Sequence, residues 1–221
     1  MNKKILLCLL LILLILSSCK KDVMESGINN DTESVTISEQ TYLFTENNCS
    51  IQVSYPKIDR EEYKTISDMF YIIATYQWME GSDLEKNYLD AVIEYDVMTF
   101  NENIISVKFT GYYMIKSSAY PVDVCFAASF DLHSQKPLEI FDFISPENAF
   151  ERVQNDDLVI EYGGLKALSF EERSSLIASV LTENDPYRMT QVYIENENLY
   201  FVVESPSHAL GDYAIVCFKN V

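Results

Sequence analysis

Side chains that could act as acids, bases or metal ligands are sparse and widely spaced in this sequence. The only histidines are His133 and His208, and neither has a cysteine or another histidine at the spacing of a zinc site. His208 closes the segment Ser205–His208, where a serine could pair with it as nucleophile and base, although no Gly-x-Ser-x-Gly motif surrounds it. We interpret both as loop histidines, and we expect no metal site, no cofactor and no catalytic residue.

Glu94 and Asp96 form a carboxylate pair with a suggestive spacing. On a strand, residues two apart point to the same face of the sheet. Such a pair can perform acid–base chemistry or hold a cation. It can equally belong to a solvated sheet face, which is the simpler interpretation. Calcium-loop, phosphate-loop and dinucleotide-binding motifs do not occur.

Four tyrosines offer a candidate ligand-binding surface. Tyr112, Tyr113, Tyr120 and Tyr213 fall near the ends of predicted strands and in turns. Tyrosine provides a large contact area at low entropic cost and is favoured in recognition surfaces. The alternative is that these side chains fill the edges of the core, and the sequence leaves both interpretations open.

A covalent modification is predicted at Cys19. Lys3 and Lys4 precede the apolar run Ile5–Leu16, whose twelve residues would form a helix of roughly 18 Å, shorter than the roughly 30 Å of a bilayer core. The run is therefore typical of an export signal. Its ending, Leu-Ser-Ser-Cys, resembles the lipobox of bacterial lipoproteins, which predicts cleavage before Cys19 and lipid on its sulfur. The alternative is a secretory signal that ends near a cysteine by chance.

This signal divides the chain into three parts. We predict a signal peptide over residues 1–18, a disordered tether over residues 19–40 and a single folded domain over residues 41–221. Two or three acyl chains on Cys19 would hold the protein firmly at a membrane. The expected location is the extracytoplasmic side of the cell membrane or of the outer membrane, and the sequence does not choose between them.

Charge restricts the partners. The chain has a formal net charge of −18, and loss of Lys3 and Lys4 with the signal would make it more negative. Such a surface repels nucleic acid and anionic lipid headgroups, and it attracts cations or a basic protein. The acidity can also serve solubility alone.

The cysteines left after the signal and the lipidation site are Cys49, Cys125 and Cys217. One disulfide with one thiol, and three buried thiols, are both compatible with this odd number. The absence of a Cys-x-x-Cys spacing argues against a thiol redox site and a zinc ribbon.

Segments of alternating polarity predict strands. They are Cys49–Tyr55, Tyr88–Phe100, Ile104–Ile115, Val122–Leu132, Thr190–Ile194, Leu199–Glu204 and Asp212–Lys219. We expect Pro56 to end the first strand, and the turns Asn101–Asn103 and Glu195–Asn198 to close hairpins. Cys125 falls on the more polar face of its strand.

Helical periodicity appears in segments between the strands. They are Asp59–Trp78, a short helix opened by Ser145-Pro146, and a helix opened by the capping box Ser169–Glu172 and ended by Asp185-Pro186. We expect the Asp59 side chain to cap the first helix. The predicted fold is α+β, with a mainly antiparallel β-sheet and helices packed on one face, in a single domain.

Four phrases in this order resemble one known domain. They are Val53-Ser54-Tyr55-Pro56-Lys57-Ile58 before a helix, Glu94–Val97 with Asn103–Phe109, Ser129-Phe130-Asp131-Leu132, and Pro137–Asp142. The sequence is similar, over about residues 41–221, to the extracellular domain of RsiV-type anti-sigma factors. The same domain precedes the catalytic part of PdaC-type peptidoglycan deacetylases.

The resemblance implies a non-catalytic module at the cell surface. In the RsiV-type proteins this domain binds lysozyme, a strongly basic enzyme. Where the family often has Gly-Gly-Ala-His, this chain has Ser117-Ser118-Ala119-Tyr120, so a role of that histidine does not carry over. We expect neither a sigma-binding segment nor a deacetylase domain, and hence neither transmembrane signalling nor hydrolysis of the wall.

Together these features predict a lipid-anchored extracytoplasmic binding or sensing module of the cell envelope. Its expected ligand is a basic wall-active protein such as lysozyme, or wall glycan. The alternatives are an envelope-glycan hydrolase, which would need a converging carboxylate pair in a cleft, and an accessory subunit of an envelope complex.

Overall fold

A computed structural model describes residues 35–46, 48–79, 88–116, 118–182, 191–206 and 211–221. The strands are β1 (Ile37–Glu46), β2 (Cys49–Ile58), β3 (Tyr88–Phe100), β4 (Ile104–Ile115), β5 (Val122–Asp131), β6 (Val159–Tyr162), β7 (Val192–Glu195), β8 (Asn198–Glu204) and β9 (Tyr213–Phe218). The helices are α1 (Lys64–Met79), α2 (Ile140–Phe143), α3 (Pro146–Gln154) and α4 (Phe170–Thr182), with short 3-10 segments at Glu61–Tyr63 and Gly164–Ala167. None of the described helices is long and apolar enough to cross a bilayer.

The strands form two sheets. Sheet A has the order β1-β2-β3-β4-β5, and sheet B has the order β6-β9-β8-β7. Neighbouring strands are antiparallel except β2 and β3, which are parallel and have α1 between them in the chain. The predicted α+β class, mostly antiparallel and in one domain, is confirmed. The strands that were expected in one sheet are divided between two, and each sheet carries helices on one face.

Three groups of buried side chains hold the layers together. The first lies between α1 and sheet A, where the Phe70 ring meets the edge of Phe130 at a centroid distance of 5.0 Å. The second lies between sheet B and the helices α3 and α4, and it includes Ile177 and Leu181 of α4. The third lies between the two sheets. The layers therefore follow the order helix, sheet, sheet, helix.

The contact between the sheets includes a buried chain of hydroxyl groups. The Ile194 N–H donates to Ser106 Oγ (3.2 Å), the Ser106 and Ser129 hydroxyls lie 2.6 Å apart, and Ser129 Oγ donates to the Val192 carbonyl (3.0 Å). Thr99 Oγ1 donates to the Ile194 carbonyl at 2.6 Å. Because β7 is an edge strand of sheet B, these side chains satisfy backbone groups that no neighbouring strand reaches.

The start of the domain differs from the sequence-based expectation. β1 begins at Ile37, so the last residues assigned to the tether are part of a strand. Pro56 does not end β2, because β3 pairs only with Ser50–Val53 and no ladder bond to β3 is required from Pro56. Residues 1–34, which include the predicted signal peptide, Cys19 and most of the tether, lie outside the described residues.

The predicted helix caps have mixed outcomes. Ser145 and Ser169 cap α3 and α4 as expected, since Ser145 Oγ accepts from the backbone of Asn148 and the Ser169 and Glu172 side chains exchange hydrogen bonds with each other's backbone. The prediction that Asp59 caps the first helix is wrong. Its carboxylate accepts instead from the hydroxyls of Thr36 and Ser38, upstream in the chain. The predicted end at residues 185–186 lies outside the described residues.

Candidate functional site

Sheet B covers only part of the face of sheet A against which it packs. Met98, Cys125 and Ala127 of sheet A belong to the core between the sheets, and they come from β3 and β5. On the side of β1 and β2, this face includes four exposed and three half-buried side chains. We call this region the open half, and its members are Leu43, Gln52, Asp90, Val92, Glu94, Asp96 and Tyr112.

One row of paired residues crosses the sheet through the open half. Strand pairing aligns Leu43 with Gln52, Gln52 with Val92, Val92 with Tyr112, and Tyr112 with Asp123. Leu43 is 67% exposed, which is unusual for a leucine on a ten-residue strand. The row therefore presents apolar and aromatic surface in the middle of a polar face, which is typical of a contact surface.

Carboxylates are in excess on this face. Glu94 and Asp96 are exposed and alternate with the buried residues of β3, so they share one face as predicted. The described strands of sheet A place one basic side chain there, Lys108, whose Nζ lies 4.0 Å from Asp96 Oδ2 and 5.8 Å from the centre of the Tyr193 ring. Glu94 and Asp90 thus carry negative charge that Lys108 does not offset, which favours a cationic partner.

Tyr112 is held in place by one of these carboxylates. Its hydroxyl donates to Asp90 Oδ2 at 3.1 Å. This hydrogen bond to Asp90 raises the pKa of Tyr112. The hydrogen bond therefore holds the half-buried ring in place on the open half.

The four candidate tyrosines do not lie on one surface. Tyr113 points to the opposite face from Tyr112, where its ring meets that of Trp78 at 5.9 Å in the core under α1. Tyr213 stacks on Tyr162 with a centroid distance of 4.8 Å, next to the core between the sheets, and burial raises its pKa above the usual range.

Tyr120 differs from the other three because it is 78% exposed in the turn before β5. The Ser118 hydroxyl donates to its carbonyl at 2.7 Å and fixes the turn that presents the ring. Tyr112 and Tyr120 are thus available for contact, whereas Tyr113 and Tyr213 take part in packing.

The other chemistry-bearing residues have local structural contacts. His133 is exposed and its Nε2 lies 3.1 Å from Asn103 Oδ1, whereas His208 lies outside the described residues. In the described ranges, no group of three or more His, Cys, Asp or Glu side chains is arranged to hold a metal ion. Cys49, Cys125 and Cys217 form no disulfide with one another, and burial raises the pKa of the Cys125 thiol to about 12.

A separate depression of about 580 Å³ lies beside the start of α1. Two tyrosine rings, Tyr55 and Tyr71, meet there at a centroid distance of 5.3 Å. Arg60 pairs with Glu62 at 3.0 Å, and Lys64 pairs with Asp68, so neighbouring carboxylates neutralise these cations. The depression therefore lacks the charge imbalance of the open half.

Sequence reasoning missed Leu43 and Gln52 as members of a candidate surface. A signal was present, since Tyr42 and Phe44 alternate with Thr41, Leu43 and Thr45. The polar residues before Thr41 concealed it, because they extended the predicted tether over the first four residues of β1.

Comparison with solved structures identifies a shared fold. A DUF3298 family protein from Bacteroides fragilis superposes with a TM-score of 0.50 and 11% sequence identity, over 89% of this chain and 92% of that chain. A DUF3298 family protein from Pseudomonas aeruginosa gives a TM-score of 0.44 and 10% identity, over 85% of each chain. The similarity concerns the fold. No protein-family model matches the sequence, and no characterised protein is significantly similar to it. DUF3298 denotes a domain of unknown function, so the neighbours supply no activity.

Proposed function

We propose that this protein is a lipid-anchored, extracytoplasmic binding module that recognises a basic protein through the open half of sheet A. The observation that supports the proposal is the charge of that face, where the exposed Glu94 and Asp96 lie with the half-buried Asp90 and the described strands of sheet A add one lysine, Lys108. A partner of opposite charge gains both affinity and association rate from such a surface. Leu43 and Tyr112 add the apolar and aromatic contacts that a protein interface needs.

Lysozyme is the partner that the resemblance to RsiV-type proteins suggests, and it serves as the first probe. Full-length protein in a neutral detergent is titrated with lysozyme from about 0.01 M to about 0.5 M salt, a range over which screening removes most long-range attraction. We expect saturable binding that weakens steadily as salt rises. Absence of saturable binding at the lowest salt would exclude lysozyme.

Matched variants locate the binding surface. Glu94→Gln combined with Asp96→Asn removes two charges from the open half, and we expect weaker binding of lysozyme. Glu147→Gln combined with Glu151→Gln removes the same charge from exposed positions on α3, which packs on sheet B away from the open half. If both pairs weaken binding equally, attraction depends on overall charge and the open half is not the site.

The anchor has its own test. A chain with Cys19→Ser lacks the sulfur that would carry the lipid. We expect this variant to leave the membrane fraction, whereas the unaltered protein stays there in high salt, because acyl chains hold by apolar burial and salt does not screen them. A variant that still sediments with membranes in high salt would contradict lipidation at Cys19.

A further inference from the structure

The four edges of the two sheets differ in how they are protected. Along the outer edge of β5, the Leu138 N–H donates to the Ser129 carbonyl and the Asp123 N–H donates to the Asp212 carboxylate. The backbone of β7 is satisfied by the hydroxyl groups of sheet A, as described above. β6 is only four residues long and has an irregular register. Such devices prevent unwanted strand pairing.

The outer edge of β1 has none of these devices. β1 pairs with β2 over ten residues without a register shift. Among the described residues, the hydrogen bond on its other edge is made by the strand's own Gln40 side chain, which donates to the Glu39 carbonyl at 3.0 Å. The strand contains no proline, lysine or arginine. Its centre, Thr41–Thr45, is uncharged and rich in residues that favour strands, and it exposes Leu43. An edge of this kind is a template for an additional strand.

Charge indicates which kind of strand would pair there. Glu39 and Glu46 are exposed near the two ends of β1, and no cation of the strand balances them. A second copy of the chain would bring the same charges to an edge of a protein whose net charge is already −18. Lysine or arginine directly across from the two glutamates would instead form favourable cross-strand pairs.

We propose that the outer edge of β1 binds an extended segment of a basic partner as a sixth strand of sheet A. The segment carries a cation near each end, about 23 Å apart at 3.3 Å per residue, to match Glu39 and Glu46. Between them it carries β-branched or apolar residues that cover Leu43. This inference rests on the proposed binding function and names the structural element of the partner that the module recognises.

The probe is a synthetic peptide long enough to span Glu39 to Glu46, with lysine at both ends and alternating threonine and valine between them. Binding to full-length protein in neutral detergent is measured by titration, and hydrogen exchange of the β1 amides is measured with and without peptide. We expect saturable binding and slower exchange in β1. Protection confined to another part of the chain would overturn the proposal.

Methylation of the peptide backbone provides an internal control. One peptide is N-methylated on its odd-numbered amides and another on its even-numbered amides, so that only one of them loses the donors that face β1. We expect one peptide to bind and the other to fail. Equal binding of the two would exclude strand addition, because contacts made by side chains alone do not distinguish the two sets of amides.

Charge variants complete the experiment. Glu39→Lys combined with Glu46→Lys should weaken peptide binding by about tenfold, since two attractive pairs become repulsive. Glu147→Lys combined with Glu151→Lys applies the same charge change on α3 and should leave binding unchanged. Equal binding of a peptide with glutamate at both ends would overturn the charge part of the proposal. Sedimentation that shows a dimer with β1 protected would assign this edge to a second copy and overturn it as well.

The two proposals fail in different ways. If lysozyme binds through the open half while no peptide binds to β1, strand addition is wrong and the binding function stands. If the peptide binds to β1 while lysozyme shows no saturable binding, the β1 edge is a peptide site and the proposed partner is wrong.

Discussion

Replacement of Ser129 by alanine tests how the two sheets are joined. Ser129 Oγ donates its only proton to the Val192 carbonyl, so the bond between the two serines must use the proton of Ser106. Ser106 Oγ in turn accepts from the Ile194 N–H. The hydroxyls therefore form one directional chain that starts and ends on the backbone of β7.

The expected cost follows from the groups left without partners. Ser129→Ala removes two hydrogen bonds and leaves the Val192 carbonyl and the Ser106 hydroxyl proton without partners, in a region where both serines are fully buried. One hydrogen bond makes a net contribution of about 1 kcal/mol to stability. A buried polar group that is left without a partner costs about 1–3 kcal/mol. We expect a loss of about 2–4 kcal/mol, a large part of the roughly 5–15 kcal/mol that stabilises a typical domain.

Urea unfolding measures this loss. Far-UV circular dichroism follows the strands, and fluorescence follows Trp78, the only tryptophan of the chain. The midpoint should fall while the slope stays constant, since the surface exposed on unfolding is nearly the same. Ser179→Ala is the control, because that hydroxyl bonds the Leu176 carbonyl on the exposed side of α4 and its removal should change stability by less than about 0.5 kcal/mol. A loss for Ser129→Ala no larger than that of the control would refute the reasoning.

The remaining predictions concern single positions. Gly111→Ala should lower stability by at least about 2 kcal/mol in urea unfolding, because a Cβ there would lie 2.0 Å from the Val92 carbonyl oxygen, which the sheet holds in place. Burial raises the pKa of Cys125 from 9.0 to about 12, so the thiol of the unfolded chain loses its proton at a lower pH than the thiol of the folded protein. The free energy of unfolding should therefore fall between about pH 9 and 12, and it should fall less steeply in Cys125→Ala. Hydrogen bonds from Ser169 lower the pKa of Glu172, and Ser169→Ala should raise that pKa toward its usual value in an NMR titration.

Local elements were predictable because their signals are local. β4 has the predicted bounds, Ile104–Ile115, since its alternation is regular and a turn precedes it. The helix caps at Ser145 and Ser169 depend on residues three positions apart in the chain. Asp59 failed as a cap because its carboxylate found hydroxyl donors on Thr36 and Ser38, more than twenty residues upstream, and no local pattern shows that competition.

The sequence did not predict the division into two sheets, because the side chains that join the sheets are serines, which a sequence pattern assigns to a solvent-exposed face. Residues 125, 127 and 129 of β5 lie on its more polar face, which a sequence pattern assigns to solvent. In the structure Ala127 and Ser129 are buried against sheet B and Cys125 is half-buried, and Ser129 and Ser106 find hydrogen-bond partners on the backbone of β7. A serine hydroxyl can form hydrogen bonds with the backbone of a buried edge strand or with water. The polarity of the sequence alone therefore could not distinguish a buried face from a solvated one.

The candidate site was predictable only in part. The shared face of Glu94 and Asp96 follows from the two-residue period of a strand. The same period separates Tyr112 from Tyr113, since consecutive residues point to opposite faces, so the four tyrosines could not all meet on one strand surface. Leu43 belongs to the candidate site because β1 pairs with β2 and places Leu43 beside Gln52, and this pairing between strands could not be read from the sequence.

The placement of charge distinguishes the proposed docking surface from a surface that serves solubility alone. An acidic protein that needs only to remain soluble gains from mixed charges distributed over its surface. Several basic side chains of this protein are instead engaged near carboxylates away from the open half, as in the pairs Arg152–Asp157 at 3.0 Å and Arg173–Asp156 at 2.9 Å. Each such pair neutralises acidity where it stands. Solubility accounts for the size of the net charge, whereas the proposed cationic partner would also account for Asp90, Glu94 and Asp96 lying together on one face.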